Sequence, residues 1–263
     1  MPISEAYLVR QPQLHRSLQS LDGLHYIPDY CNGSQQDRLL KDVHSSKSKW
    51  TQVSGRRLQS YGGTVHEKWG GLLQAPIPAW LQTMLSKIDQ DFHLYDGAAN
   101  HVLLNAYEPG QGILAHEDGP VYYPAACILS LGCSAVMHFR RKSHDGIESR
   151  PVASVLLMPG SLLVFNGEAY KDCLHGIDEV FEDVLDDSIL NLEQCGQKVG
   201  AVLPRAVRHS LTIRRVPKVK RLIKLPGLCS DALEEVYWLQ HEHCTGAVLG
   251  TSPATMQVSY MLR

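Results

Sequence analysis

The chain has 263 residues, of which 44% are hydrophobic and 20% are charged. This composition is that of an ordinary folded domain with enough apolar side chains for a sizeable core, and it excludes an intrinsically disordered chain. The formal net charge is −2, which excludes a global basic field. A nucleic-acid partner would therefore have to be bound by a local basic patch.

Seven cysteines are scattered along the chain without a C-x-x-C pair. This pattern favours reduced thiols over a zinc ribbon or a redox motif. The first residues lack the basic start and apolar run of a signal peptide, and no stretch of roughly 18 apolar residues occurs. We expect an intracellular protein, cytoplasmic or nuclear, that does not contact a membrane.

Residues 1–100 contain two helical patterns. Apolar residues recur at helical spacing over Gln35–Val43, behind candidate N-caps at Asn32 and Ser34. A second apolar stripe over Ile77–Asp91 begins among prolines, which suit the start of a helix. We expect both helices to pack on a sheet and to belong to an N-terminal extension that also holds a substrate lid.

From residue 101 the pattern changes to short runs rich in Val, Ile, Leu and Tyr, separated by turn residues. These runs predict strands near 101–107, 113–116, 126–131, 134–140, 152–158, 161–166, 170–175 and 208–215. Short strands without intervening helices favour a double-sheet jelly roll or barrel over a βαβ fold. The expected fold class is mainly β with flanking helices (α+β).

Two charged segments follow the predicted strands. The acidic segment 177–203 is interpreted as an insertion or a surface loop. Residues 205–224 carry eight basic side chains and no acid, which makes a local basic strip. We expect one domain over 1–263, with its core at 101–216 and a C-terminal extension at 217–263 that contains a candidate helix near 231–243.

His116 and Asp118 form an H-x-D motif. Residues i and i+2 of a strand face the same way, so the two side chains can meet one metal ion. His175, in the predicted strand 170–175, is well placed to supply a third ligand. Two histidines and one carboxylate make the facial triad of non-heme Fe(II) oxygenases, which leaves three metal positions open.

Arg208, Ser210, Thr212 and Arg214 share one face of the predicted strand 208–215. Two buried guanidinium groups on one strand face would be costly without anions, and a dicarboxylate offers an anion at each end. The alternative is an edge strand with a solvated basic face.

Asn105-Ala106-Tyr107 repeats the i, i+2 pattern just before the metal motif, and offers an amide and a phenol to the same carboxylate. With these motifs in this order, the sequence resembles the AlkB family of Fe(II)- and 2-oxoglutarate-dependent dioxygenases, and is most like its homolog 6 branch. The resemblance covers about residues 26–215. The motifs that carry it are Arg56-Arg57-Leu58-Gln59-Ser60-Tyr61-Gly62, Asn105-Ala106-Tyr107, His116-Glu117-Asp118, His175 and Arg208–Arg214.

The resemblance implies a double-stranded β-helix (jelly-roll or cupin-like) core, with Fe(II) held by His116, Asp118 and His175. It also implies that Asn105, Tyr107 and Arg208 bind the distal carboxylate of 2-oxoglutarate, and that Arg214, with Ser210 near it, binds the metal-proximal end. The implied reaction consumes O2 and 2-oxoglutarate and hydroxylates a substrate C–H bond. On an N-methyl group it releases formaldehyde, and no catalytic residue beyond the metal ligands is needed.

Candidate substrate-binding residues lie in three places. By the resemblance, Arg56, Arg57 and Tyr61 occupy a lid, where they offer hydrogen-bond donors for phosphate and a ring for stacking. The same residues would also fit an ordinary surface turn. Tyr122 and Tyr123 follow the metal motif and could stack on a base, line a peptide groove or pack under the lid. His138, inside the predicted strand 134–140, is expected in the core or the pocket wall.

Three functions remain open at this point. The first is oxidative demethylation of N-alkylated nucleic acid, RNA or single-stranded DNA, by a monomer that contacts it through the basic lid and strip. The second is the same oxidative demethylation, acting on protein side chains. The third is a non-catalytic nucleic-acid-binding protein with a vestigial site, against which the complete ligand set argues.

Overall fold

The computed structural model describes residue 18 and residues 21–46, 50–66, 69–143, 146–147 and 150–221. These residues belong to one compact unit, Met1–Arg221. The candidate helix near 231–243 and most of the expected C-terminal extension lie outside the described residues. Within the described residues, no helix combines the length and apolarity that crossing a bilayer requires.

The structure contains three helices and seventeen strands in its described part. The helices are α1 (Gly33–Ser45), α2 (Ala79–Phe92) and α3 (Gly167–Lys171). The strands are β1 (Leu24–Ile27), β2 (Thr51–Val53), β3 (Arg56–Tyr61), β4 (Gly63–His66), β5 (Gly71–Gln74), β6 (His101–Tyr107), β7 (Ile113–His116), β8 (Ala126–Leu131), β9 (Ala135–Ser143), β10 (Gly146–Ile147), β11 (Ala153–Leu157), β12 (Leu162–Phe165), β13 (Cys173–Ile177), β14 (Glu182–Val184), β15 (Val202–Pro204), β16 (Arg208–Arg214) and β17 (Val219–Arg221).

Two sheets build the core. The larger sheet has the order β1-β12-β8-β16-β6-β3-β2, and the smaller has the order β10-β9-β13-β7 with β11 paired to β9. All pairs in both sheets are antiparallel. This is the double-sheet jelly roll that the strand pattern predicts, and the fold class is confirmed.

The large sheet buries both of its faces, and β8 shows the division. Ile128 points into the cluster between the two sheets, whereas Cys127 and Leu129 join the cluster that packs against the helices α1 and α2. Strand residues point alternately to opposite faces, so a strand buried on both faces is apolar throughout. The sequence pattern of β8 follows from this position.

The first predicted helix is confirmed as α1. Asn32 is its N-cap: the Asn32 side chain accepts a hydrogen bond from the backbone N–H of Gln35 at 3.0 Å, and the Gln35 side chain accepts one from the backbone N–H of Asn32 at 2.9 Å. This reciprocal capping box satisfies two donors that a helix start leaves free. The second predicted helix is confirmed as α2, which begins at Ala79.

One predicted strand is wrong in its first half. Residues 170–175 were expected to be a strand, but 167–171 form the short helix α3 and the strand β13 begins at Cys173. Gly167 has a φ of 52°, which lets the chain turn sharply from β12 into this helix. The strand nevertheless includes His175 and continues to Ile177.

The acidic segment 177–203 is folded rather than a simple surface loop. Leu185 and Ile189 pack on Val136 and Leu156, so the segment covers the outer face of the small sheet. The side chain of Asn191 accepts a hydrogen bond from the N–H of Leu156 at 2.8 Å and donates one to its carbonyl at 2.9 Å. The insertion therefore pairs with the free edge of β11.

The five cysteines within the described residues are free: Cys31, Cys127, Cys133, Cys173 and Cys195. Four of them are buried and Cys195 is half-buried. Burial raises the pKa of the Cys127 thiol to about 12, which keeps it protonated and unreactive at neutral pH. The expectation of reduced thiols is confirmed for this part of the chain.

Candidate metal centre and co-substrate cavity

His116, Asp118 and His175 meet at one point between the sheets. His175 in β13 lies opposite His116 in β7 in the strand register, and their ring centroids are 4.4 Å apart. One ligand atom from each of the three residues lies within 4.8 Å of the others. The three donors are those of a 2-His-1-carboxylate triad and could hold one Fe(II) ion.

The protonation states of the two histidines suit metal binding. Burial lowers the pKa of His175 to about 3 and also lowers the pKa of His116, so both rings are neutral near pH 7. The Nδ1 of His116 lies 2.8 Å from the carbonyl of Leu114. A carbonyl can only accept, so Nδ1 carries the proton and Nε2 keeps the lone pair that binds a metal.

Asp118 is oriented by an arginine rather than by its strand. The strand β7 ends at His116, so the strand argument for the H-x-D motif does not extend to Asp118. Instead, Arg214 donates from Nε to Asp118 Oδ2 at 2.9 Å and from Nη2 to Oδ1 at 2.5 Å. Burial alone would lower the pKa of Arg214, but the charge of Asp118 raises this pKa above its usual value. The two side chains form a bidentate, charge-assisted ion pair.

A cavity of about 630 Å³ extends from these ligands into the barrel. Its polar lining comes from β6 and β16 and includes Asn105, Tyr107, Ser210, Thr212 and Arg214. Strand β16 lies in the interior of the large sheet, between β8 and β6. The alternative of an edge strand with a solvated basic face is therefore wrong.

Arg208 lies beside this cavity with an unmatched charge. It is 2% exposed, and its Nη2 donates to Ser130 Oγ at 2.8 Å. Its Nε and Nη1 have no hydrogen-bond partner among the described residues. Burial lowers its pKa to about 10, which still leaves the guanidinium charged at pH 7. Buried donors without partners are rare, and a carboxylate would satisfy both.

The residues that were expected to bind the distal carboxylate lie together. Tyr107 is opposite Arg208 in the strand register, and the guanidinium carbon of Arg208 is 5.7 Å from the Tyr107 ring centroid. Asn105 is opposite Ser210. The residues present thus fit both the metal and a dicarboxylate such as 2-oxoglutarate.

Of the predicted substrate-binding residues, Arg56 reaches the cavity. Its Nε donates to Asn105 Oδ1 at 2.9 Å, and the side chain lines the cavity wall. Arg57 is exposed, pairs with Glu108 at 3.4 Å and lies 5.3 Å from the Trp50 ring centroid. Both belong to β3, which pairs with β6 in the large sheet and is therefore neither a loop nor a turn.

The aromatic candidates lie elsewhere. Tyr61 is 4% exposed, packs on Trp80 and donates a hydrogen bond to Gln59 at 2.6 Å, so it cannot stack on a base. The ring of Tyr122 lies 4.8 Å from the guanidinium carbon of Arg214. Tyr123 packs edge-on against Tyr95. The stacking role predicted for Tyr61 is therefore not supported, whereas the roles of Tyr122 and Tyr123 stay predictions.

His138 does not line the cavity either. Its neighbours in β9, Met137 and Phe139, point into the cluster between the sheets, so His138 points outward. There its Nδ1 lies 2.9 Å from Ser154 Oγ and its Nε2 lies 3.5 Å from an Asp178 oxygen. It is half-buried under the acidic insertion, and no pocket-wall role is supported.

Sequence reasoning missed the apolar and rim residues of the cavity. The apolar side includes Leu103, Ile128, Met137 and Ile177, and the rim includes Ser54, Leu114 and Glu179. Leu114 is 83% exposed. The strand alternation of β8 and β9 could have indicated Ile128 and Met137, whereas the rim residues come from segments that carry no motif.

Comparison with known proteins decides the family. Residues 23–214 match the model of the 2OG-Fe(II) oxygenase superfamily. The chain belongs to this superfamily. The match ends at Arg214 and spans the metal ligands, β6 and β16. An oxygenase of this kind is an oxidoreductase that uses Fe(II), 2-oxoglutarate and O2.

Relatives place this 2OG-Fe(II) oxygenase in the AlkB family. It is 41% identical over 206 residues to the zebrafish (Danio rerio) protein named "Probable RNA/DNA demethylase ALKBH6". The aligned region covers 75% of this chain and 87% of that protein. It is 30% identical to mouse (Mus musculus) tRNA (carboxymethyluridine(34)-5-O)-methyltransferase ALKBH8, over 79% of this chain and 32% of that protein. The solved structure of OsALKBH1 shares the fold, with 14% identity, a TM-score of 0.50, and coverage of 73% of this chain and 98% of that chain.

Proposed function

We propose that this oxygenase removes N-alkyl groups from nucleic acid, RNA or single-stranded DNA, by oxidative demethylation. The observation that carries the chemistry is Arg208, whose buried charge has two donors without a partner beside the same cavity as the triad. The substrate class is supported by the 41% identity to a relative named as an RNA/DNA demethylase.

Each residue of the cavity has a role in this proposal. His116, Asp118 and His175 would hold Fe(II), and Arg214 keeps the Asp118 carboxylate aimed at it. Together, bound Fe(II), 2-oxoglutarate and O2 supply the oxidising chemistry that inserts one oxygen atom into a substrate C–H bond and converts 2-oxoglutarate into succinate and CO2.

The co-substrate would be oriented along β16. Arg208, Asn105 and Tyr107 bind its distal carboxylate, and Ser210 with Arg214 lies at the metal-proximal end. Arg56 donates to Asn105 and also lines the cavity, so it orients the amide. Ile128, beside Thr212 in the same sheet, and Met137, in the facing sheet, line the cavity and exclude water, which strengthens these charge-assisted contacts.

The second product follows from the substrate. Hydroxylation of an N-methyl carbon gives an N-hydroxymethyl group, whose C–N bond breaks to release formaldehyde while the hydroxyl proton goes to solvent and the nitrogen takes a proton back. Solvent can mediate this proton exchange, so no protein acid or base is required. The proposed compartments are those where such nucleic acids occur, the cytoplasm and the nucleus.

A substrate panel tests the proposal. Methylated RNA and single-stranded DNA oligonucleotides are incubated with the iron-loaded protein, and the amounts of succinate and formaldehyde are measured. Demethylation should yield the two products in equal amounts. Methylated peptides and the variant His175→Ala are run in parallel. Formaldehyde released from an oligonucleotide and absent with His175→Ala is the expected result. Release from peptides alone would replace the proposed substrate with protein side chains.

The co-substrate site can be tested without a substrate. Fe(II) and then 2-oxoglutarate are added anaerobically, and the visible charge-transfer band of the chelated keto acid is recorded. We expect the band with the natural chain and no band with His175→Ala. Oligonucleotide binding without any band would contradict the oxygenase proposal and favour a non-catalytic binding protein.

A further inference from the structure

The basic strip at residues 205–224 is divided by the fold. Its arginines up to position 215 are used inside the barrel or against carboxylates: Arg205 with Asp183, Arg208 beside the cavity, Arg214 with Asp118 and Arg215 with Asp96. Lys218 and Lys220 are different, because both are exposed and neither is in an ion pair within the described part of the chain. Among the side chains of the strip that the structure describes, they are the exposed cations that remain available to a partner.

Both lysines lie over one aromatic ring. The Nζ atoms of Lys218 and Lys220 are 4.9 Å and 4.6 Å from the ring centroid of Trp69. Lys218 Nζ also donates to the carbonyl of Trp69 at 2.6 Å. We call these three residues the Trp69 cluster.

The ring of Trp69 is held in place by the sheet beneath it. Strand β17 pairs in parallel with β5, with Val219 opposite Leu72. A Cβ atom at Gly71 would lie 2.8 Å from the Trp69 ring, so the ring lies directly against the backbone there. The cluster is therefore a preorganised arrangement, with two ammonium groups held over a fixed ring.

Two ammonium groups over one ring distinguish the Trp69 cluster from the ion-paired cations on the described surface. Four other surface cations have carboxylate partners: Arg57 with Glu108, Lys87 with Asp91, Arg141 with Glu168 and Lys142 with Glu117. Holding two like charges on one ring costs repulsion that a bound anion would relieve. A compact ammonium pair suits phosphate as a point-charge site, without the fork that reads a base edge.

The two lysines follow closely in sequence after β16, the strand that contacts the metal site. Lys218 follows Arg214 by four positions, so their Cα atoms are at most about 14 Å apart. Arg214 in turn contacts the metal ligand Asp118. A strand whose modified base enters the cavity could therefore place a nearby backbone phosphate at Lys218 and Lys220.

We propose that the Trp69 cluster binds the phosphate backbone of the nucleic acid whose alkylated base enters the cavity. This inference rests on the proposed function, since it requires a nucleic-acid substrate. Contacts to phosphate carry no sequence information. The cluster therefore provides sequence-independent affinity on the side of the cavity where Arg214 and Asp118 lie.

The test measures the salt dependence of binding. The dissociation constant of a short fluorescent oligothymidine is determined over a series of KCl concentrations for the full chain and for Lys220→Gln. Loss of one phosphate contact should lower the slope of log K against log salt by about 0.7 for a single strand. The matched control is Lys198→Gln, which removes an exposed lysine from the acidic insertion and should leave the slope unchanged.

A second variant separates the ring from the charges. Trp69→Leu keeps both lysines and removes the surface over which they are held, so we expect binding about two- to five-fold weaker with a salt slope close to that of the natural chain. A melting curve checks that each variant is folded. Because Lys220→Gln changes one exposed side chain, it tests the cluster even if Trp69→Leu does not fold.

The outcomes distinguish this inference from the proposed function. If the natural chain demethylates an oligonucleotide but Lys220→Gln has the slope of Lys198→Gln, the Trp69 cluster does not bind phosphate and the proposed function stands. If the natural chain neither binds nor demethylates any methylated oligonucleotide, both fail.

Discussion

Arg208 and Arg214 lie at the two ends of β16, and both side chains point toward the cavity, yet their guanidinium groups meet different partners. Arg214 is matched within the chain by Asp118. Arg208 keeps two donors without a partner in the described residues. A buried charge without a partner is costly. The two free N–H donors of Arg208 would be satisfied by a bound anion. The two arginines should therefore respond differently to substitution.

Replacing Arg208 with Met removes the unmatched charge and keeps much of the side-chain volume. We expect the KM for 2-oxoglutarate to rise at least about tenfold, because a buried charge-assisted contact is lost. The melting temperature without 2-oxoglutarate should not fall, since burying that charge is unfavourable. The rise in melting temperature that 2-oxoglutarate causes should disappear.

Iron binding provides the internal control for Arg208→Met. Its Fe(II) affinity should stay within about twofold of the natural chain's, because Arg208 contacts none of the three metal ligands, whereas His175→Ala should lose it. A melting temperature that still rises with 2-oxoglutarate would contradict the assignment of Arg208 to the distal carboxylate.

At the scale of elements, the sequence predicts best where local pattern and burial agree. The strands β6, β7 and β8 begin and end where predicted, because apolar residues recur regularly on at least one face of each strand. The strands β1 to β5 were missed, since most of them are short. Whereas β2 with β3 and β4 with β5 form local hairpins, β1 and β3 also pair with strands distant in sequence, β12 and β6. Pairing of this kind is determined by tertiary contacts rather than by local propensity.

The same limit applies to the candidate site. Polar residues at i, i+2 spacing, such as Asn105 and Tyr107, were identified because the spacing itself carries the chemistry. The surroundings of Tyr122 and His138 could not be predicted, because a sequence does not tell which face of a strand or turn contacts other residues. Tyr122 lies against Arg214, and His138 lies against Ser154 and Asp178 of the acidic insertion.

The insertion gives an element-scale prediction. Asn191 is 1% exposed and hydrogen-bonds both the N–H and the carbonyl of Leu156 on the open side of β11. Asn191→Leu leaves the buried N–H without a partner and the carbonyl with only the weak contact from the Cys195 thiol at 3.6 Å. We expect the free energy of unfolding to fall by about 2–4 kcal/mol, measured by urea denaturation. Glu193→Gln, a change at an exposed side chain of the same insertion, should alter it by less than about 0.5 kcal/mol.

At the scale of the whole molecule, buried neutral histidines make stability depend on pH. Burial lowers the pKa of His209 to about 4 and that of His101 to about 3. Their ordinary value in an unfolded chain is about 6.5. The unfolded state therefore binds more protons below pH 6.5, and stability decreases as the pH falls. Above pH 6.5 these two groups contribute no pH dependence.

We expect the free energy of unfolding of the metal-free protein to decrease between pH 6.5 and about 4. His209→Gln should reduce this decrease, because the ring that must stay neutral is gone. The exposed His93, changed to Asn, which also tolerates the left-handed backbone at that position, is the surface control. Denaturant titrations at several pH values check the slope, and a His209→Gln slope equal to the natural one would refute this explanation.

The contact between the insertion and β11 also affects how molecules meet each other. An open strand edge is a template on which a second copy can add its own strand, and such edges are where aggregation begins. Here Ile189 forms a bridge with Ser154, and Leu190 and Asn191 occupy the next backbone groups along β11. The acidic insertion thus covers this edge, and a second copy would have to displace it before adding a strand there.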